Sequence, residues 1–211
     1  MLALGVLISG RGSNLQAVID AIASGELDAE IRVVLSNRAD AAGLERAEKA
    51  GIPTAVVDHK GYRDRQSFDA ALIERLQASG VEWVLLAGFM RIVTPLFLQA
   101  FPNRVVNIHP SLLPAFPGVD AQAQALAHGV RITGCTVHLV NEGVDAGPIL
   151  AQAAVAVALD DTPDSLAARI LVEEHRLLVE TLQAIAENRL IVETGDDGRT
   201  RARMAQGPDK Q

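Results

Sequence analysis

Residues 2–8 read LALGVLI, apolar at every position, and a helical pattern opens at Asn14 after the turn Ser9-Gly10-Arg11-Gly12-Ser13. A strand that is apolar throughout has both faces covered. That arrangement belongs to a parallel sheet flanked by helices, and the following residues repeat the alternation. Strands are expected at Leu2–Ile8, Ile31–Leu35, Thr54–Val57, Trp83–Leu86 and Val105–His109. Helices are expected at Asn14–Ser24, Ala42–Ala50 and Arg63–Ser79, stopped by Gly25, Gly51 and Gly80. After Pro110 the rhythm changes. Strands at Thr136–Val140 and Ile149–Val157 enclose the loop Asn141–Pro148, and Leu190–Glu193 is one more short strand. Thr162-Pro163 supplies a cap and a first-turn proline for a helix reaching about Asn188. The reading is an α/β fold with a mostly parallel sheet and helices on both faces. One domain covers residues 1–193, and a polar, frayed, disordered tail covers 194–211.

The fifth strand carries chemistry. Val105-Val106-Asn107-Ile108-His109 is apolar apart from two polar residues, and Pro110 ends it. Asn107 and His109 are two apart, so they point to the same face. They stand at the carboxyl end of the strand, where open α/β sheets bind ligands. His109 can serve as acid, base or cation, and Asn107 both donates and accepts. The same pair also fits a strand end that is simply closed by a capping Asn and His.

Two other loops matter. Ser9-Gly10-Arg11-Gly12-Ser13-Asn14 joins a strand to a helix, and its glycines let backbone N–H groups approach an anion at the helix start. The pattern is neither G-x-G-x-x-G nor G-x-x-x-x-G-K-[ST], so it favours a phosphate monoester over a dinucleotide or a nucleoside triphosphate. A tight turn with no ligand is the alternative. Asn141–Pro148 holds Asp145 among Gly143, Gly147 and Pro148, a shaped loop. Asp145 is the acid to set against His109, where a carboxylate favours the imidazolium. An Asp bonding its own turn is the ordinary alternative. His138, on a strand, reads as a structural residue, and Glu174-His175 sits within the long helix. Arg91, after the fourth strand, can reach a ligand or lie in solvent.

Composition narrows the partners. The formal net charge is -7, which disfavours a phosphate backbone and therefore nucleic acid. Aromatics make up 3% of the chain, so the core is built from Ala, Val, Leu and Ile. The one cysteine, Cys135, permits neither a disulfide framework nor a thiolate metal site, and no histidine pair has metal-ligand spacing. No apolar stretch reaches membrane-spanning length. A cytoplasmic protein with no metal, no membrane partner and small-molecule substrates is expected.

At this point the motifs LISGRGSNLQ, SNRADAAGLERA, LAGFMRI, NIHPSLLPAFPG, GCTVHLV and VDAGPIL, in this order from Leu2 to about Leu190, resemble the phosphoribosylglycinamide formyltransferase family. Its members are folate-dependent enzymes of purine synthesis. The resemblance implies a Rossmann-like sheet that binds glycinamide ribonucleotide and the co-substrate 10-formyltetrahydrofolate, as a monomer or homodimer. It implies a catalytic trio of Asn107, His109 and Asp145. By the same resemblance Gly12, Ser13 and Asn14 meet the substrate phosphate, and Glu174 meets the ribose or the amine. Arg65 lies near the folate's glutamate tail, Met90, Arg91, Ile92 and Val93 line the pterin slot, and Val144 belongs to the loop that closes it. The chain departs from many relatives after Pro117-Gly118, where Val119-Asp120-Ala121-Gln122 has no histidine. Formyl transfer passes through a tetrahedral intermediate, whose oxyanion Asn107 and a protonated His109 are suited to stabilise. Asp145 would assist the proton transfer.

Three other readings compete. A methionyl-tRNA formyltransferase should carry a further domain and a basic face, and this chain is short and acidic. A formyltetrahydrofolate hydrolase should carry an amino-terminal regulatory domain, whereas the first strand here starts at Leu2. A phosphate sensor on the same fold leaves Asn107, His109 and Asp145 without work.

Overall fold

β1 (Leu2–Ile8) is buried from Leu4 to Ile8, so both of its faces are closed. The computed structural model describes residues 1–205, and the chain divides into two units, 1–107 and 108 onward. In the first unit β1 is followed by α1 (Ser13–Ser24), β2 (Ala29–Ser36), α2 (Gly43–Lys49) and β3 (Thr54–Val56). Then come α3 (Arg65–Ala78), β4 (Trp83–Leu86), α4 (Pro95–Ala100) and β5 (Val105–His109), whose residues 105–107 pair with β4. The strands lie in the order β3-β2-β1-β4-β5, all parallel. Consecutive parallel strands need a crossover, and the helices supply it.

The helices start where the sequence offers caps. The Asp64 carboxylate accepts from Ser67 N at 2.7 Å, closing a capping box at the start of α3. Leu72 and Leu76 of α3 are fully buried. A Cβ on Gly5 would lie 2.5 Å from Leu76 Cδ2, so β1 carries glycine where α3 presses on it. The short α4 was not anticipated: at six residues it is too brief to show a periodic stripe.

The second unit continues with α5 (Ala121–His128), then β6 (Ile132–Leu139) antiparallel to β7 (Ile149–Ala156). α6 (Pro163–Ala186) packs on both strands and buries Leu166, Ile170, Leu177, Leu178, Leu182 and Ile185. Thr162 caps it, accepting from Ser165 N at 3.2 Å, with Pro163 in the first turn.

The polar carboxyl-terminal segment carries one more strand. β8 (Leu190–Thr194) pairs antiparallel with β9 (Thr200–Met204), where a frayed tail was expected from Gly195. The turn closes through Gly198 N to Gly195 O at 2.9 Å and Gly195 N to Arg199 O at 3.0 Å. Arg201 pairs with Asp197 at 2.6 Å, so the charges that suggested solvation hold the turn together. The remainder of the expected tail, 206–211, lies outside the described residues. Among the described residues no helix is long and apolar enough to cross a membrane.

Candidate functional site

The second unit gathers titratable groups around Asp145. β5 delivers a buried His109 at its end. Its Nδ1 lies 3.4 Å from Asp145 Oδ2, and its Nε2 lies 2.9 Å from Phe116 O. Both ring nitrogens face acceptors, an arrangement that the doubly protonated ring satisfies completely. Asp145 Oδ2 also accepts from Gly118 N at 2.7 Å. The backbone around this cluster is held in uncommon conformations. Phe116, Asp120 and Asp145 have φ of 55°, 56° and 49°, each costing about 1–3 kcal/mol that surrounding contacts must offset. Gln124 Nε2 donates to Pro117 O at 3.1 Å and to Val119 O at 2.8 Å, next to Phe116 and Asp120. Thr136 Oγ1 donates to Ser111 O at 2.7 Å and accepts from Leu113 N at 3.0 Å, lacing the segment after β5 to β6. Gln152 Nε2 donates to Leu113 O at 2.8 Å and to Thr136 Oγ1 at 3.0 Å.

His138 joins the cluster, although a strand position read as structural. Its Nε2 lies 3.7 Å from Asp145 Oδ1, and its Nδ1 lies 2.9 Å from Leu139 O. Burial pushes this imidazole below its usual pKa, ahead of the opposing pulls of Leu139 O and Asp145. A neutral ring bonded to Leu139 O carries its hydrogen on Nδ1. The β6–β7 register shifts between Val137 and His138, an irregularity of the kind found beside functional sites. Gly147 completes the loop: a Cβ there would collide with Leu139 O.

Asn107 precedes His109 by two residues on the same strand. Glu174 is buried on α6 beside Cys135, and Val144 is exposed. Burial first, then Glu174 and Glu173, pushes the Cys135 thiol up to about 12, which removes it as a nucleophile.

In the first unit the turn after β1 places Gly12 at the start of α1 with φ 70°, and no side chain caps the helix. As in any helix, the first-turn N–H groups have no intrahelical acceptor. Ser13 and Asn14 begin the helix. Ser9, the first residue of that loop, ties three strand ends together. Its Oγ donates to Asn37 Oδ1 at 2.6 Å and accepts from Met90 N at 2.8 Å, and its N–H donates to Gly88 O at 3.1 Å. The segment after β4 presents Met90 and Ile92 to solvent, 71% and 53% exposed, while Val93 is buried. Asp69, unanticipated from the sequence, is 2% exposed on α3 and accepts from Thr94 N at 2.6 Å, at the end of that segment. Burial raises its carboxyl above the usual aspartate value, against the pull of Thr94, Arg65 and Arg91. One acid thus lies under both of the arginines singled out in the sequence. A polar residue directly after an apolar strand was the available signal for Ser9; a lone Asp on a helix gave none for Asp69.

Known proteins share this pattern over most of the chain. Phosphoribosylglycinamide formyltransferase of Escherichia coli (strain K12) is 43% identical over 185 residues, which is 88% of this chain and 87% of that one. The trifunctional purine biosynthetic protein adenosine-3 of Homo sapiens is 48% identical over 194 residues, 92% of this chain, which matches only 19% of that protein's length. Among solved structures, glycinamide ribonucleotide transformylase 1 from Symbiobacterium toebii superposes with a TM-score of 0.93 at 55% identity, covering 98% of this chain and 95% of that one. The formyl transferase family profile matches residues 3–182, one family domain running through both units, and the chain belongs to the formyl transferase family.

Proposed function

We propose that the protein transfers the formyl group of 10-formyltetrahydrofolate to the amine of glycinamide ribonucleotide. The observation that carries the chemistry is His109, at the end of a strand that bears Asn107 two residues earlier, with Asp145 of the β6–β7 loop 3.4 Å away. The choice of substrates rests on the Escherichia coli and Symbiobacterium toebii relatives, whose names state glycinamide ribonucleotide chemistry and which match nearly their full length.

The neutral amine attacks the formyl carbon. A C–N bond forms, and the carbonyl π electrons move to oxygen. Asn107 and the His109 imidazolium, its Nε2–H turning to the formyl oxygen from Phe116 O, stabilise that oxyanion, a type of interaction whose loss costs about 10²–10³ in rate. The oxyanion then collapses and the bond from carbon to the folate nitrogen breaks. The proton leaving the amine must reach that nitrogen. Asp145 takes part as base, directly or through water, with His138 Nε2 3.7 Å from its other oxygen. No covalent enzyme intermediate is needed. Gly12, Ser13 and Asn14 hold the substrate phosphate with first-turn N–H groups, and Glu174 addresses the ribose or amine. Arg65, Met90, Arg91, Ile92, Val93 and Val144 receive the folate.

The test is direct. The purified chain, given glycinamide ribonucleotide and 10-formyltetrahydrofolate, should yield formylated ribonucleotide and tetrahydrofolate in equal amounts. Folate turnover without ribonucleotide product would replace this reading with hydrolysis, and no turnover would remove it.

A further inference from the structure

The loop proposed to hold phosphate is shaped from behind by α2. Gly43 N donates to Gly10 O at 3.0 Å, Arg46 Nε donates to Arg11 O at 2.9 Å, and Arg46 Nη1 donates to Gln16 Oε1 at 3.2 Å. Two successive loop carbonyls are therefore turned toward α2. In a planar trans peptide the C=O and the following N–H point in opposite directions. Pinning the carbonyls of Gly10 and Arg11 to α2 thus aims the N–H groups of Arg11 and Gly12 away from it, on the side opposite the clamp. The backbones also meet too closely for side chains. A Cβ on Gly12 would lie 2.6 Å from Gly43 Cα, and one on Gly43 would lie 3.1 Å from Gly12 Cα and 3.3 Å from Gly10 O. Gly12 has φ 70° as well, so only glycine suits that position without strain.

We propose that Arg46, with Gly43, is a positioning residue for the nucleotide phosphate: it holds the loop's N–H groups in an anion-binding arrangement without itself being catalytic. This rests on the reading that the loop takes the ribonucleotide phosphate. A guanidinium suits the task because its fork reaches the Arg11 carbonyl and the Gln16 amide oxygen at once, whereas an ammonium is a single point donor. Arg46 also lines an open polar cavity of about 440 Å³ with Gln16, Ala42, Glu45, Lys49 and Ala50, so shortening it admits water rather than leaving a dry void.

The experiment is steady-state kinetics on full-length wild type, Arg46→Gln, Arg46→Lys and Gly43→Ala, with inorganic phosphate as a competing probe. Arg46→Gln should raise KM for glycinamide ribonucleotide about tenfold and the inhibition constant of phosphate in parallel, with kcat and the folate KM changed less than about twofold. Arg46→Lys should recover part of that loss, and Gly43→Ala should move the same two constants in the same direction. Unchanged ribonucleotide KM in the Arg46 variants overturns the inference. So does a uniform loss in kcat and both KM values accompanied by a lower Tm, which marks a merely structural role. Wild type that formylates the ribonucleotide but is not inhibited by phosphate competitively with it overturns both the phosphate assignment of the loop and the positioning role, while leaving the formyl-transfer reading standing. Wild type without formyl transfer overturns that reading itself.

Discussion

His109 Nδ1 stands 3.4 Å from Asp145 Oδ2, with the two side chains only 6% and 14% exposed. A pair this enclosed is little screened by salt, so each partner depends on the other. His109→Ala and Asp145→Asn should each lower kcat by about 10²–10³, with KM values changed far less. Far-UV circular dichroism should match wild type in both. The double variant should lose little more than the worse single one, because residues acting as a unit are not additive. Near-normal kcat in either single variant would remove the trio assignment.

His109 and Asp145 were legible because each sits where its surroundings make it odd. One is polar at the end of an apolar strand, and the other is an acid in a loop of glycines and proline. His138 was not legible. It has apolar neighbours on β6, and its approach to Asp145 depends on the register shift between Val137 and His138, which periodicity cannot reveal. Asp69 was hidden for another reason: its partner, Thr94, is 25 residues away in a segment without regular structure. β9 was missed because its alternating residues, Arg201 and Arg203, are charged and resemble a solvated tail. The long elements with caps, such as α6 after Thr162-Pro163, were legible because caps are local chemistry.

Ser9→Ala should weaken the ends of β1, β2 and β4 together. It removes the hydroxyl that donates to Asn37 Oδ1 at 2.6 Å and accepts from Met90 N at 2.8 Å. Losing buried partners of this kind costs about 1–3 kcal/mol. Denaturant unfolding should report a lower midpoint. If the segment after β4 receives folate, the folate KM should rise more than the ribonucleotide KM. A folate KM equal to that of wild type would detach Met90 from the folate site.

Cys135 should be silent toward thiol reagents in the folded protein. Burial and the neighbouring Glu174 push its thiol up to about 12, so almost no thiolate exists near neutrality. Disulfide exchange with an aromatic disulfide reagent at about pH 8 should release no chromophore from native protein. After unfolding in guanidinium the same sample should release one equivalent, since the chain has one cysteine. Rapid reaction before unfolding would contradict the buried placement.

Asp69 makes stability depend on pH with a definite sign. Burial raises its carboxyl above the usual aspartate value of 3.8, despite Thr94, Arg65 and Arg91. Folded Asp69 therefore keeps its proton at a pH where the unfolded chain has lost it. In that window the folded state binds more protons, so stability from this group is greatest below 3.8 and falls as pH rises through the raised value. Asp69→Asn preserves size and can still offer an oxygen to Thr94 N, but it carries no ionisation. The variant should accordingly gain on wild type as pH increases, with the difference levelling off once folded Asp69 is ionised. Urea unfolding of both proteins from about pH 4 to pH 8 would follow that difference. A difference independent of pH, or one that shrinks as pH rises, would mean that Asp69 ionises no later in the folded protein than in the unfolded chain, and that its hydrogen bond to Thr94 outweighs its burial.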